Sequence, residues 1–210
     1  MSLLQLVTAG IAIAGAVIFI IGLIIVLVTA QRRRYPSEIA PIKKSPAMGV
    51  LYAFTLGMAP WAKESARLHW VAYLRGIIIH AGIFIGAAFL IATPWLTLMP
   101  IWLRLFFACL FGVGALLGVA GFWLRLHDPT MHILSTPDDY FSLALVTLFL
   151  AAGSAVAAVP SLLPAFWVIS GVTLAYTPFG KMKHSIYFAY ERVILGQFFG
   201  RRGVLEWTHE

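Results

Sequence analysis

Apolar residues run along this chain in continuous blocks rather than in alternation. Five blocks stand out: Leu3–Thr29, about Leu68–Ala92, Ile101–Leu124, Tyr140–Val159 and Leu162–Phe179. A helix that crosses a bilayer needs roughly 20 predominantly apolar residues, and all five blocks reach or approach that length. None shows the period-two pattern of a membrane β-barrel. The pattern therefore predicts an all-α membrane protein with five transmembrane helices in a single domain. Residues 1–30 form the first span, 31–67 a loop, 68–186 the other four spans, and 187–210 a tail.

The connections are predicted from their breakers. Pro36, Pro41, Pro46 and Pro60 prevent one helix between the first two spans, yet Val50–Met58 is apolar. A short piece at the membrane interface is expected there, anchored by Trp61 and Trp70. Ser135-Thr136-Pro137-Asp138-Asp139 reads as a helix start, with Thr136 as N-cap, Pro137 in the first turn and two carboxylates on the positive dipole end. The fifth span is expected to kink at Pro178 and continue as Phe179–Phe199. Gly200-Arg201-Arg202-Gly203-Val204 then reads as a helix stop and an exposed basic turn.

Composition agrees with this picture. The 210 residues are 61% hydrophobic and 11% charged, with a mean hydropathy of +0.91; these values exclude an ordinary soluble domain. The formal charge of +7 would suit nucleic acid, but its distribution points elsewhere. Arg32, Arg33, Arg34, Lys43, Lys44, Lys63 and Arg67 lie between the first two spans, and Lys181, Lys183, Arg192, Arg201 and Arg202 lie near the C-terminal end. The positive-inside rule then places the N-terminus outside and the tail in the cytoplasm. Anionic lipid or an acidic partner surface is the secondary reading of the same excess, and nucleic acid is excluded. The first span is too long for a signal-peptide core and is read as a retained helix. Cys109, the lone cysteine, is expected to be a buried small residue.

Candidate chemistry rests on histidines. His80 lies inside the second block, in Arg75–Gly86, RGIIIHAGIFIG. An ionisable ring in hydrocarbon is a functional-site hypothesis by default. His184, near the end of the last block, is its candidate partner: two neutral imidazoles from two membrane helices suit a haem iron that passes single electrons. Gly82 and Gly86 form a small-residue ridge, readable as helix packing or as a flat surface for a macrocycle. His69 shares a helix face with His80 but lies about 16 Å away along the axis, so it cannot bind the same metal. Arg104 near the outer end is a snorkelling residue or a contact for a propionate or a quinone. His127 and His132 are expected to be hydrated or hydrogen-bonded. No three-ligand zinc pattern, Walker loop or dinucleotide fingerprint is present.

The segments RGIIIHAGIFIG, STPDDY and YTPFGKMKHSIYFAYERVILGQFFGRRGVL resemble the gamma subunit of respiratory nitrate reductase. They resemble still more the related membrane cytochromes b that serve heterodisulfide-reductase-like iron–sulfur subunits. The resemblance covers about Ala62 to Leu205. It implies an electron-transfer subunit in a prokaryotic cytoplasmic membrane, not a stand-alone enzyme, linking quinone or quinol to a cytoplasmic iron–sulfur or flavin partner alongside other membrane subunits. The family usually holds two haems, on a histidine pair ten apart in span two and a pair in span five. His80 matches the first and His184 the last, while the other two positions fall on Leu90 and Phe166. One haem b, the inner one, is therefore expected, with Arg67, Arg75, Arg125 or Lys181 facing its propionates and His69 as a spare ligand. The competing class is a haem-free membrane anchor whose basic inner face docks a soluble redox enzyme.

Overall fold

A computed structural model describes residues 2–32, 41–59, 61 and 64–204. Arg33, Arg34, Pro36, Pro60, Lys63, Leu205 and His209 lie outside the described residues. Helices run in the order α1 (Leu3–Gln31), α2 (Pro46–Phe54), α3 (Glu64–Leu68), α4 (Trp70–Ala92), α5 (Ile101–His127), α6 (Pro129–Leu134), α7 (Pro137–Ala158), α8 (Leu163–Tyr176) and α9 (His184–Arg202). No strand occurs among the described residues.

Four helical segments are long and apolar enough to cross a membrane: Leu3–Gln31, Trp70–Leu98, Ile101–His127 and Pro137–Ala158. The fifth block behaves differently from the expected kinked span. Its helix stops at Tyr176 and restarts at His184, and it makes a fifth span only if Pro160–Tyr176 and Lys181–Arg202 count as one broken span. The reason is length and a breaker. The 14 residues of α8 rise only about 21 Å, and Thr177-Pro178-Phe179-Gly180 cannot carry the ladder on. Exposed apolar side chains are the rule on the spans, as with Ile91 at 75% and Leu116 at 71%, which fits a lipid solvent.

The chain divides into two compact units. One comprises Met1–Gly22 with Leu74–Met182, and the other Leu23–Tyr73 with Lys183–Glu210.

In the first unit α5 and α7 pack antiparallel, with Gly121 beside Leu143, Gly118 beside Thr147, Gly114 beside Leu150 and Gly112 beside Ser154. Lipid supplies no hydrophobic drive between helices, so association depends on close packing and interhelical hydrogen bonds. Glycines supply the first. The second comes from Ser154, whose hydroxyl donates to the Ala108 carbonyl at 2.7 Å, and from Trp167, whose Nε1 donates to Thr93 Oγ1 at 3.0 Å. Phe89, Phe111, Phe149 and Phe166 fill the centre, with Phe89 and Phe111 edge-to-face at 5.3 Å. Arg104 is tied to backbone: Nε and Nη2 donate to the Ala157 and Ala158 carbonyls, each at 3.0 Å. It thereby satisfies the last acceptors of α7, which have no intrahelical partner. Cys109 is exposed rather than buried. Helix α1 meets α8 where Gly15 lies against the Gly171 backbone.

The second unit pairs two helices far apart in sequence. Ser45 caps α2 through Met48 N–H, with Pro46 in the first turn. Gly49 lies against the backbones of Gly196 and Gly200; a Cβ on Gly196 would stand 2.7 Å from Val50 Cα. Arg192 Nη1 donates to the Ala53 carbonyl at 3.2 Å, and Lys43 N–H to the Arg201 carbonyl at 2.9 Å. The pairing of 53 with 192, 49 with 196 and 43 with 201 makes α2 and α9 antiparallel. Gly200 is thus a packing residue and not the expected helix stop. The stop is Gly203, at φ +66°, whose N–H closes onto Gly200 and Phe199 carbonyls, as a C-terminal glycine cap does.

Leucine at Gly15 is expected to lower the unfolding free energy in detergent by about 1–3 kcal/mol or more, because the atom it meets is backbone and cannot swing away. Leucine at Gly10, where a Cβ meets nothing within 4 Å, is expected to change it by less than about 0.5 kcal/mol. Thermal unfolding of both purified variants checks the contrast. In the second unit, Gly49→Leu is expected to part α2 from α9, read as new proteolytic cleavage between residues 41 and 59 in membranes that leave the wild type intact.

Candidate functional site

His80 sits in the third turn of α4 and is exposed. Its Nδ1 lies 2.7 Å from the Gly76 carbonyl. A carbonyl can only accept, so Nδ1 carries a proton in this contact. Metal-bound histidines commonly fix their tautomer through such a bond. The bond is also an ordinary one for a helical histidine, since His127 Nδ1 contacts the Trp123 carbonyl in the same way at 2.9 Å.

Gly82 and Gly86 do not share the His80 face. Two residues along a helix turn it by about 200°, and a Cβ on Gly82 would meet Leu150 at 3.2 Å, one on Gly86 Phe149 at 2.7 Å. Both glycines are buried, their ridge filled by α7 side chains, which is the helix-packing arrangement. The open glycine beside His80 is Gly76, four residues earlier, where a Cβ meets nothing within 4 Å.

The candidate cations divide by what holds them. Arg75 is half-buried in α4, its Nε 4.0 Å from where a Gly121 Cβ would stand. Arg125 Nη1 donates to Ser135 Oγ at 2.8 Å, and the Tyr140 hydroxyl donates to the Arg125 carbonyl at 3.0 Å. Arg125 therefore ties α5 to the start of α7. Lys181 Nζ pairs with Asp139 at 2.6 Å. Arg67 closes α3. His69 precedes α4, and its carbonyl accepts from Tyr73 N–H at 3.0 Å, so the helical path from His69 to His80 is continuous. His132 Nδ1 lies 3.3 Å from the Tyr140 hydroxyl, and His127 stacks on Trp123 at 3.7 Å.

His184 is the first residue of α9 and is exposed. It belongs to the second unit and His80 to the first. The sequence reading puts His184 in the fifth span; it begins the second helix of the pair Pro160–Tyr176 and Lys181–Arg202, which together pass as one broken span.

The two aspartates form a cluster that the helix-start reading only half anticipates. Asp139 completes a capping box, accepting from Thr136 N–H and Oγ1, both at 2.8 Å. Asp138 does not cap its own helix. It accepts from the Tyr176 hydroxyl, from Lys181 N–H at 2.9 Å and from Ser142 Oγ at 3.2 Å. The only sequence signal for this was a second carboxylate in a turn where one suffices.

Among the described residues no three His, Cys, Asp or Glu side chains gather as a metal site. A haem iron held by two imidazoles needs no such cluster. No family model, curated protein or solved structure matches this chain.

Proposed function

We propose that this chain is a haem b membrane subunit of a respiratory redox complex, relaying electrons between the quinone pool and a cytoplasmic iron–sulfur or flavin partner. His80 is the axial ligand on which the reading rests. The single observation that carries the reading is His80: an imidazole in the third turn of an apolar membrane-length helix, exposed at the helix surface, with Nδ1 donating to the Gly76 carbonyl. That residue fits the group in kind, because a histidine whose Nδ1 donates to a carbonyl has the tautomer in which metal-bound histidines are commonly held. Bound haem would supply one-electron transfer at a potential set by burial and by hydrogen bonds to its ligands.

The protein's own part follows from named groups. Gly82 and Gly86 serve the scaffold that holds α4 against α7 rather than the macrocycle. Of the cations named for the propionates, Lys181 and Arg125 already bind Asp139 and Ser135, and Arg75, about 140° round α4 from His80, lies towards Gly121 of α5, which leaves Arg67 as the candidate. The resemblance to the nitrate reductase gamma group supports the choice of partner and of quinone.

A second reading, a haem-free anchor that docks a soluble enzyme, is favoured by one observation. The antiparallel α2–α9 pair draws Lys43, Arg192, Arg201 and Arg202 into one compact unit, a basic module suited to an acidic partner surface.

The purified, cofactor-replete protein is expected to show reducible b-type absorption bands, which His80→Ala abolishes and His69→Ala retains. A colourless wild type under those conditions rejects the haem reading in favour of the anchor.

A further inference from the structure

A groove of about 350 Å³ runs along the seam between α5 and α7, wholly inside the first unit. Val119, Phe122, Trp123 and Leu126 line it from α5, and Ala144 and Leu148 from α7. Thr147 lines it as well, but its hydroxyl donates to the Leu143 carbonyl at 2.7 Å, so the walls are almost wholly apolar.

One end of the groove differs from the rest. His127 stacks on Trp123 at 3.7 Å, and the Tyr140 ring packs edge-on against Phe122 at 5.6 Å. The Tyr140 hydroxyl stands between the Arg125 carbonyl at 3.0 Å and His132 Nδ1 at 3.3 Å. Both histidines are exposed. The groove therefore ends in an aromatic rim that carries two imidazoles, with the Arg125 charge beside them.

This order of polarity is that of a membrane lipid: Trp and Tyr rings belong at the headgroup level, cations just beyond them and apolar side chains within. Size points the same way. From Val119 to Leu126 the groove follows α5 for about 11 Å. Over that distance a helix about 10 Å across would occupy more than twice 350 Å³, whereas a single acyl chain fits.

We infer that the groove binds one phospholipid, its acyl chain against Ala144 and Leu148 and its phosphate at the rim of His127 and His132. Arg125 supplies the charge complement, since its guanidinium stays positive while Ser135 takes only Nη1. The inference is independent of the haem reading. A lipid held by the folded form alone also stabilises that form by mass action.

The test uses the full chain purified from membranes in mild detergent, as wild type, Ala144→Phe, Ile91→Phe and the double variant His127→Ala/His132→Ala, with bound lipid read by native mass spectrometry. Wild type and Ile91→Phe, changed at an exposed position of α4 outside the groove, are expected to retain one phospholipid per chain and to melt at lower temperature once it is stripped. Ala144→Phe is expected to retain none, and the histidine variant to release it at lower detergent concentration. Phosphatidylglycerol with a diazirine in its acyl chain, added to stripped wild type, is expected to label residues 119–126 and 144–148, a result that needs no variant to fold. Wild-type retention in Ala144→Phe overturns the inference. So does labelling spread evenly over the exposed faces of α4 and α5, an isoprenoid quinone retained in place of phospholipid, or a second copy of the chain closing the groove as a stable dimer.

Discussion

Helices in hydrocarbon gain nothing from hiding apolar surface from one another, and this molecule is organised by that constraint. What brings helices together is the close approach that small residues permit and the few hydrogen bonds that close approach allows. The same device recurs in both units. Gly112, Gly114, Gly118 and Gly121 of α5 receive side chains of α7, and Gly49 meets Gly196 and Gly200 at backbone distance. Polar ties then accumulate where backbone ladders end: Arg104 on the last carbonyls of α7, Asp139 on its first amides, Arg125 and Tyr140 across the turn between α5 and α7. Those made to backbone, by Arg104, Asp139 and Tyr140, spare an unpaired group a cost that hydrocarbon makes severe.

Against that background the chemistry-bearing residues take sides. Gly82 and Gly86 are consumed by packing, which leaves the His80 face of α4 marked by Gly76 instead. Lys181, a candidate counter-charge for a propionate, is committed to an internal ion pair. His184 begins a helix of its own just after a break that α7 holds through two carboxylates. The two histidines thus belong to different parts of the fold, His80 to the first unit and His184 to the second.

The spans were legible because hydropathy blocks of this length have few alternatives; α4, α5 and α7 fall within a few residues of the segments expected. The position of Thr136 and Pro137 also announced the start of α7. The fifth block misled because apolar residues continue through Phe179 while the backbone does not, and Pro178 was read as a kink where Gly180 and the Tyr176 ring complete a full break. The α2–α9 pairing was not legible: Gly196 and Gly200 make a small-residue pair on α9, but their counterpart, Gly49, stands alone about 150 residues earlier, and no local pattern links the two. The opposite faces of His80 and Gly82 were readable from helical spacing alone. Asp138 was hidden by a good local explanation, since a carboxylate in a first helical turn needs no other cause.

The central proposal is that His80 binds a haem iron. Low-temperature electron paramagnetic resonance of the oxidised protein, with histidine nitrogen isotopically labelled, addresses it most directly. The account requires a ferric haem signal with a histidine nitrogen coupling that His80→Ala removes. A cofactor-replete protein without that signal, or one whose histidine couplings all persist in His80→Ala, contradicts it.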